Sequence, residues 1–125
     1  MKKAAIIVLS DPKVGSEEAL GRLFNALAAV YDFKERGGEV QLLFQGAGTR
    51  WAGELINQVH PAYELFTKVK DKVAGVSCGC ADVFGAQEGA AACGLELITE
   101  NAVPNTTGLP SLARLTEVGY TVLTF

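Results

Sequence analysis

Two cysteines one residue apart are the residues of this chain best suited to chemistry. In VAGVSCGCADVFGA, residues 73–86, Cys78 and Cys80 follow a run typical of a buried strand and precede one typical of a helix. A thiol at the start of a helix lies near unpaired backbone N–H groups, which favour the thiolate over the thiol. We therefore expect Cys78 to be a nucleophile and Cys80 a second, resolving thiol. Gly79 has no side chain, so an attacking partner or a bound sulfur atom could approach the backbone there.

The same cysteines also admit a purely structural interpretation. Free cysteine is among the most buried residue types, so Cys78 and Cys80 could fill space under a loop. Cys93 lies in the Ala-rich stretch AAACG and is expected to be packed core. We expect no zinc site, because the C-x-C spacing differs from that of zinc ligands and no second ligand pair is present. His60 stands alone before Pro61 and is expected to be a surface or capping residue.

Composition restricts the setting in which these thiols act. The 125 residues are 49% hydrophobic and 20% charged, which predicts one domain, 1–125, with a continuous core. The net charge of -3, without a cluster of Lys and Arg, argues against nucleic acid or an anionic membrane as a partner. The first apolar run is too short for a signal peptide or a membrane span, and three cysteines are an odd number. A cytoplasmic protein with reduced thiols is expected.

Strands and helices are predicted to alternate along the chain. Continuous runs rich in β-branched residues suit strands that are covered on both faces. The expected strands are 4–9, 39–45, 73–77, 95–99 and 120–125. Helices are expected after Ser16, over 50–58, from Pro61, from about Ala81 and over 110–118. This order predicts an α/β fold, a three-layer α/β/α sandwich with a five-stranded, mostly parallel sheet.

Such sheets collect reactive groups at the carboxyl ends of their strands. The loops that begin at residues 10, 46, 78 and 100 are expected to meet at this edge. Arg50 and Trp51 would give a cation and an aromatic wall beside the cysteines, with Ser10 and Gly46 completing a substrate-binding set. Arg50 and Trp51 could equally form an interface patch, since both residue types are enriched at protein contacts.

The loop after the first strand is a candidate for phosphate binding. SDPKVGSE, residues 10–17, stands where a helix N-terminus could hold a phosphate group. Asp11 and Glu17 would repel an anion, so we expect an ordinary strand-to-helix loop in which Ser16 caps the helix. Neither FMN nor another cofactor is expected.

Three stretches resemble the DsrE/DsrF-like proteins, a family of small sulfur-relay and sulfur-oxidation proteins. They are VSCGCADVFGA after the third strand, the GLELI strand and the closing LPSLARLTEVGYTVLTF. The resemblance covers most of the chain and implies a flavodoxin-like fold, also called DsrEFH-like, with homo- or hetero-oligomeric assembly. For this chain we expect a homo-oligomer, most naturally a trimer or hexamer. The resemblance further implies a cysteine that carries sulfur as a persulfide between donor and acceptor proteins. By position that cysteine is Cys78, with Cys80 as an adjacent thiol.

Two classes of function therefore stay open. In the first, Cys78 is the thiol of a sulfur carrier or sulfurtransferase, and it reacts before Cys80. In the second, the chain is an oligomeric module that binds a small ligand or partner in a cleft bordered by Trp51, and the cysteines are packing. Either class fits an oligomer, because Trp51, Tyr63 and Phe66 are expected to leave apolar surface for a subunit contact.

Overall fold

Five strands form a single sheet at the centre of the molecule. The structure is a computed structural model, and it describes residues 2–125. The strands are β1 (Lys3–Val8), β2 (Glu39–Phe44), β3 (Val73–Ser77), β4 (Leu97–Ile98) and β5 (Thr121–Thr124). They lie in the order β4-β3-β2-β1-β5, and every neighbouring pair is parallel. The predicted five-stranded parallel sheet is confirmed.

Six α-helices connect or follow these strands. They are α1 (Glu17–Glu35), α2 (Trp51–Glu54), α3 (Tyr63–Val69), α4 (Cys78–Phe84), α5 (Gln87–Ala92) and α6 (Leu112–Glu117). Short 3-10 turns cover Pro12–Val14, Gly46–Arg50 and Lys70–Lys72. No helix in residues 2–125 has the length and apolar character needed to cross a membrane.

The layers on the two faces of the sheet differ in thickness. Successive steps from β1 to β4 run in one direction along the sheet, so right-handed connections place their helices on one face. The return from β4 to β5 places α6 on the other face. We call α1 to α5 the thick layer and α6 the thin layer. Together they confirm the three-layer, flavodoxin-like sandwich.

Two apolar clusters hold these layers to the sheet. The cluster under the thick layer contains residues from all five of its helices, alternate residues of β1 and β2, and Val76 of β3. The cluster under the thin layer is much smaller, and its buried members are Ala5, Ile7, Leu43, Leu115 and Tyr120. Most of the apolar burial is therefore on one side of the sheet.

The longest helix, α1, forms where its capping residues predict. The Ala19 N–H donates to Ser16 Oγ at 3.1 Å, which satisfies one unpaired donor of the first turn. The apolar stripe of α1 is wider than the face that the helix buries. Phe24 and Tyr31 belong to that stripe, yet they are 40% and 41% exposed. They lie two turns apart and so share one face of the helix.

Several element boundaries differ from the sequence prediction, and the helix predicted over 50–58 is only the four-residue α2. Helix α4 begins at Cys78 rather than near Ala81, because Ser77 caps it and accepts the Cys80 N–H at 3.4 Å. Strand β4 has two residues instead of five. Its expected first residue, Leu95, donates its N–H to the Ala90 carbonyl and so closes α5 instead of joining the sheet.

The apolar residues expected to remain uncovered on the short helices are mostly buried. Trp51 is 3% exposed and Phe66 is 2% exposed, and both lie in the cluster under the thick layer. Tyr63 is half-buried. The prediction that these residues leave apolar surface was therefore wrong for Trp51 and Phe66. The exposed aromatic side chains of α1, Phe24 and Tyr31, are better candidates for a contact surface.

The turn after β2 lies directly on the end of β1. A Cβ atom on Gly48 would stand 2.2 Å from the Val8 carbonyl oxygen and 3.2 Å from the Leu9 Cα atom. Both neighbours are backbone atoms, and Val8 is the fully buried last residue of β1, so they cannot rotate away as a side chain could. Gly48 therefore fixes how the loops after β1 and β2 meet at the carboxyl edge of the sheet.

Replacement of Gly48 by Ala is expected to destabilise the fold. The added methyl group must displace backbone, which costs about 1 to 3 kcal/mol of unfolding free energy or more. The matched control is Gly21→Ala in α1, where an added Cβ meets no atom within 4 Å. This control should stabilise the helix by about 0.5 to 1 kcal/mol. Urea unfolding measures the stability of both variants. A Gly48→Ala midpoint at or above that of wild type would contradict the close contact between Gly48 and the end of β1.

Candidate functional site

A hairpin-shaped loop between β4 and α6 covers the start of α4. The Asn101 N–H donates to the Leu109 carbonyl at 2.6 Å, and the Leu109 N–H donates back to the Asn101 carbonyl at 3.0 Å. We call residues 101–109 the finger loop. Gly108 has φ of 109°, and a Cβ there would stand 2.4 Å from the Thr99 carbonyl oxygen, so only glycine fits.

The finger loop is held on α4 through Gly79. The Gly79 N–H donates to the Gly108 carbonyl at 2.7 Å, and a Cβ on Gly79 would stand 2.9 Å from Leu109 Cδ1. The space that Gly79 leaves is thus filled by the chain itself. The expectation that this glycine admits an attacking partner was wrong, because the finger loop occupies the approach.

Cys78 lies under this loop as the first residue of α4. It is 8% exposed, and its Sγ atom stands 3.1 Å from Thr107 Oγ1. The same hydroxyl oxygen stands 2.6 Å from Asp82 Oδ2. Asp82 follows Cys78 by one helical turn, so both side chains lie on the same face of α4. The thiol, the hydroxyl and the carboxylate form one hydrogen-bonded chain.

The three cysteines differ in their surroundings, and all are free thiols. Cys80 is half-buried and therefore more open to solvent than Cys78, so the prediction that Cys78 reacts first does not follow from exposure. Cys93 is 3% exposed, and burial raises the pKa of its thiol. The prediction that Cys93 is packed core is confirmed.

A second group of side chains joins the loops after β1 and β2. Arg50 donates from Nη1 to Asp11 Oδ2 at 3.0 Å and from Nε to the Phe84 carbonyl at 3.1 Å. Its guanidinium also lies over the Phe84 ring, 5.3 Å from the ring centre. Trp51 donates from Nε1 to the Ser10 carbonyl at 2.8 Å. These contacts make Arg50 and Trp51 links between loops.

The remaining predicted residues of this edge have local roles. Gly46 has φ of 56°, and its carbonyl accepts a hydrogen bond from Thr49 Oγ1 at 2.8 Å. His60 Nδ1 accepts the Ala62 N–H at 3.1 Å, a local bond just before α3, whose cap residue is Ala62. The loop after β1 is an ordinary strand-to-helix loop that ends at the cap Ser16, as predicted.

The hydrogen bonds of Arg50 and Trp51 do not reach the cysteines. Arg50 meets α4 at its last residue, Phe84, whereas Cys78 is the first, and the helical rise separates the two ends by roughly 9 Å. Trp51 is buried, and its indole N–H is already used. The expected aromatic wall and cation beside the thiols stay a prediction, and the hydrogen bonds of these two side chains link loops.

Gln45 carries a buried polar atom without a hydrogen-bond partner. The residue is 8% exposed, and no described residue donates to its Oε1 atom. Phe44 pairs with Val76 across the sheet, so Gln45 follows β2 at the level where Ser77 ends β3. An unpaired amide oxygen therefore lies at the same edge of the sheet as the start of α4.

A shallow acidic recess lies between α4 and α5. It has a volume of about 310 Å³ and is lined by Ala81, Asp82, Gly85, Gln87 and Glu88. Within residues 2–125, no three side chains of His, Cys, Asp or Glu come close enough together to hold a metal ion. The donors at this edge are instead a thiol, a hydroxyl and carboxylates.

Two residues of the candidate site were missed by the sequence analysis. Asp82 had a usable signal, because a carboxylate four residues after a cysteine on a helix shares its face. Thr107 had no such signal in the sequence, because it belongs to a loop and follows Cys78 by 29 residues. Only the folded finger loop brings its hydroxyl to the sulfur.

Comparison with known proteins gives little further information on this site. Over 66 residues, 53% of the chain, the sequence is 33% identical to an uncharacterized protein of Methanocaldococcus jannaschii. The chain spans about half the length of this curated relative, since the match covers 54% of it. No family model matches the sequence, and no solved structure matches it.

Three carboxylates at loops and helix ends have lowered pKa values. The Lys13 backbone N–H and Arg50 lower the pKa of Asp11, Lys34 lowers that of Asp71, and Arg114 lowers that of Glu100. Each group therefore stabilises the folded state above its ordinary pKa of 3.8 for Asp or 4.5 for Glu. This stabilisation is lost as the pH falls through the lower, folded-state values.

The contribution of these three carboxylates to the unfolding free energy is therefore expected to be constant above about pH 5 and to decrease below about pH 4. Glu100→Gln removes one of the three groups, so it should make this acid loss shallower. Urea unfolding at a series of pH values from 2.5 to 6 measures the effect. If the unfolding free energy of Glu100→Gln depended on pH as that of the wild type does over this range, the lowered pKa of Glu100 would be contradicted.

Proposed function

We propose that the protein is a sulfur carrier in which Cys78 holds sulfane sulfur as a persulfide. The observation that carries this proposal is the placement of Cys78 at the junction of β3 and α4, with its sulfur against the Thr107 hydroxyl. The resemblance of VSCGCADVFGA and the closing helix and strand to the DsrE/DsrF-like proteins supports the same role. The partners would be donor and acceptor proteins.

The transfer needs no cofactor, because it is a thiol displacement. The Cys78 thiolate attacks the outer sulfur of a donor persulfide, so a new S–S bond forms and the donor's S–S bond breaks. The donor leaves as a thiolate and takes up the proton that Cys78 released. An acceptor thiolate then attacks the outer sulfur on Cys78 in the same way. Neither step is a net oxidation or reduction.

The surroundings of Cys78 suit the storage of such a group. Because the residue Cys78 is only 8% exposed, a persulfide there would react slowly with thiols and oxidants in solution, although it would not be closed to them, since access limits both reactions. The half-buried Cys80, two residues away, offers a second thiol for release. Three free cysteines also fit a cytoplasmic location, where thiols stay reduced.

Exposure to a small persulfide donor should add the mass of one sulfur atom to Cys78. Cys78→Ser should abolish this adduct without loss of fold, since serine keeps the size and a hydrogen-bonding group beside Thr107. Cys93→Ala is the matched control and should retain the adduct. Intact mass and peptide mapping measure the outcome, with circular dichroism as the test of folding. An adduct that persists in Cys78→Ser would refute the proposal.

Binding of a small ligand at the same edge is the second candidate function. It is favoured by the buried Gln45 Oε1, which lacks a donor among the described residues. A ligand with an N–H or O–H group would supply one, and the cysteines would then be packing. Cys78→Ser separates the two functions, because ligand binding should survive the substitution whereas sulfur transfer should not.

Assembly into a homo-oligomer, a trimer or hexamer, is proposed together with the carrier function. The half-exposed pair Phe24 and Tyr31 supplies aromatic surface on one face of α1. Such residues are enriched at subunit contacts.

Light scattering at micromolar concentration should therefore give a mass of several chains. The double variant Phe24→Ser/Tyr31→Ser should lower that mass, because it removes the aromatic face while leaving the buried residues of α1 intact. Val59→Ser is a control, since this residue is 85% exposed and belongs to a loop rather than to α1. A wild-type mass equal to one chain would reject the oligomer.

A further inference from the structure

The hydrogen-bonded chain of Cys78, Thr107 and Asp82 has a direction. A hydroxyl has one proton, so Thr107 can donate it to the sulfur or to the carboxylate but not to both. The distance of 2.6 Å from Thr107 Oγ1 to Asp82 Oδ2 is that of a charge-assisted bond to a carboxylate. The sulfur, 3.1 Å away, is a weak acceptor. Thr107 therefore donates to Asp82, and its oxygen accepts the S–H proton of Cys78.

This direction favours the protonated thiol. A thiolate at Cys78 would face a lone pair of Thr107 instead of its proton. It would also face a negative charge, since the two short contacts place the Asp82 carboxylate within roughly 6 Å of the sulfur, where like charges disfavour each other. The hydrogen bond and the charge of Asp82 thus both favour the protonated thiol of Cys78.

We propose that Asp82, acting through Thr107, is a positioning residue that holds Cys78 as a thiol, and that neutralising Asp82 activates it. Without the carboxylate charge, the Thr107 hydroxyl turns its proton to the sulfur and stabilises the thiolate. The inference rests on the role proposed for Cys78, for which it supplies the control of reactivity.

Few other charged or titratable groups face the hydrogen-bonded side chains of Cys78, Thr107 and Asp82. The finger loop and β3 contain no charged residue. On α4, the half-buried Cys80 is the second thiol, and Arg50 reaches this helix only at Phe84, with its other contact on Asp11. On α5, Glu88 lines the same recess as Asp82. Glu88 has no hydrogen bond to Thr107 and is therefore the matched control for charge alone.

The test is the rate of alkylation of Cys78 by iodoacetamide between pH 6 and 9. In this reaction the sulfur–carbon bond forms, iodide leaves and the thiol proton passes to solvent, so no sulfur donor is needed. Tandem mass spectrometry assigns the label to Cys78 or Cys80. Asp82→Asn should raise the Cys78 rate at pH 7 by roughly threefold to tenfold and move the whole profile to lower pH.

The companion variants distinguish positioning from a change in access. Glu88→Gln should change the rate at pH 7 by less than about twofold, because its charge lacks the link through Thr107. Thr107→Ser should follow the wild-type profile, since it keeps the hydroxyl. In a Thr107→Val background, Asp82→Asn should shift the profile less than it does in the wild type.

Three results would overturn the inference. They are an Asp82→Asn profile identical to that of wild type, a rate raised by one constant factor at every pH, and a Cys78 that stays unlabelled in all variants while Cys80 is labelled. The constant factor would indicate a loosened finger loop rather than a change in protonation. A shifted profile in a protein that accepts no sulfane sulfur would retain the inference and reject the carrier function.

Discussion

The contact between the backbones of Gly79 and Gly108 is the constraint on which the candidate site depends. The hydrogen bond from the Gly79 N–H to the Gly108 carbonyl brings the finger loop against the first turn of α4. Gly108 cannot carry a side chain in this arrangement, and a Cβ atom on Gly79 would have to displace the Leu109 side chain. Because the next residue before Gly108 is Thr107, the same contact places its hydroxyl between the sulfur of Cys78 and the carboxylate of Asp82.

The order of the strands determines which loops meet at the functional edge. β1, β2 and β3 are neighbours, so their following loops are neighbours too. Arg50 and Trp51 use this proximity to link the loops after β1 and β2, and Arg50 also holds the end of α4. One end of α4 is thus fixed by a cation and the other by the finger loop. The helix that carries the thiol is anchored at both ends.

Local signals in the sequence were sufficient for the fold. Apolar runs identified the strands, and the cap at Ser16 identified the start of α1, because such signals depend on neighbours along the chain. The position of Cys78 at a strand end followed from the same reasoning. The burial of Cys78 and of Trp51 did not, since it results from contacts with the finger loop and with Ser10 that are distant in sequence.

The unequal layers have a consequence for how the thiol meets its surroundings. Opening free energies follow the apolar contacts that must be broken, and the thin layer rests on only a few. The segment that runs from β4 through the finger loop to α6 should therefore detach as a cooperative unit while α1 and the first three strands stay folded. Cys78 then reaches solvent in a form that keeps most of the native structure. Its accessibility would be set by this sub-global equilibrium, a quantity that amide hydrogen exchange in α6 reports.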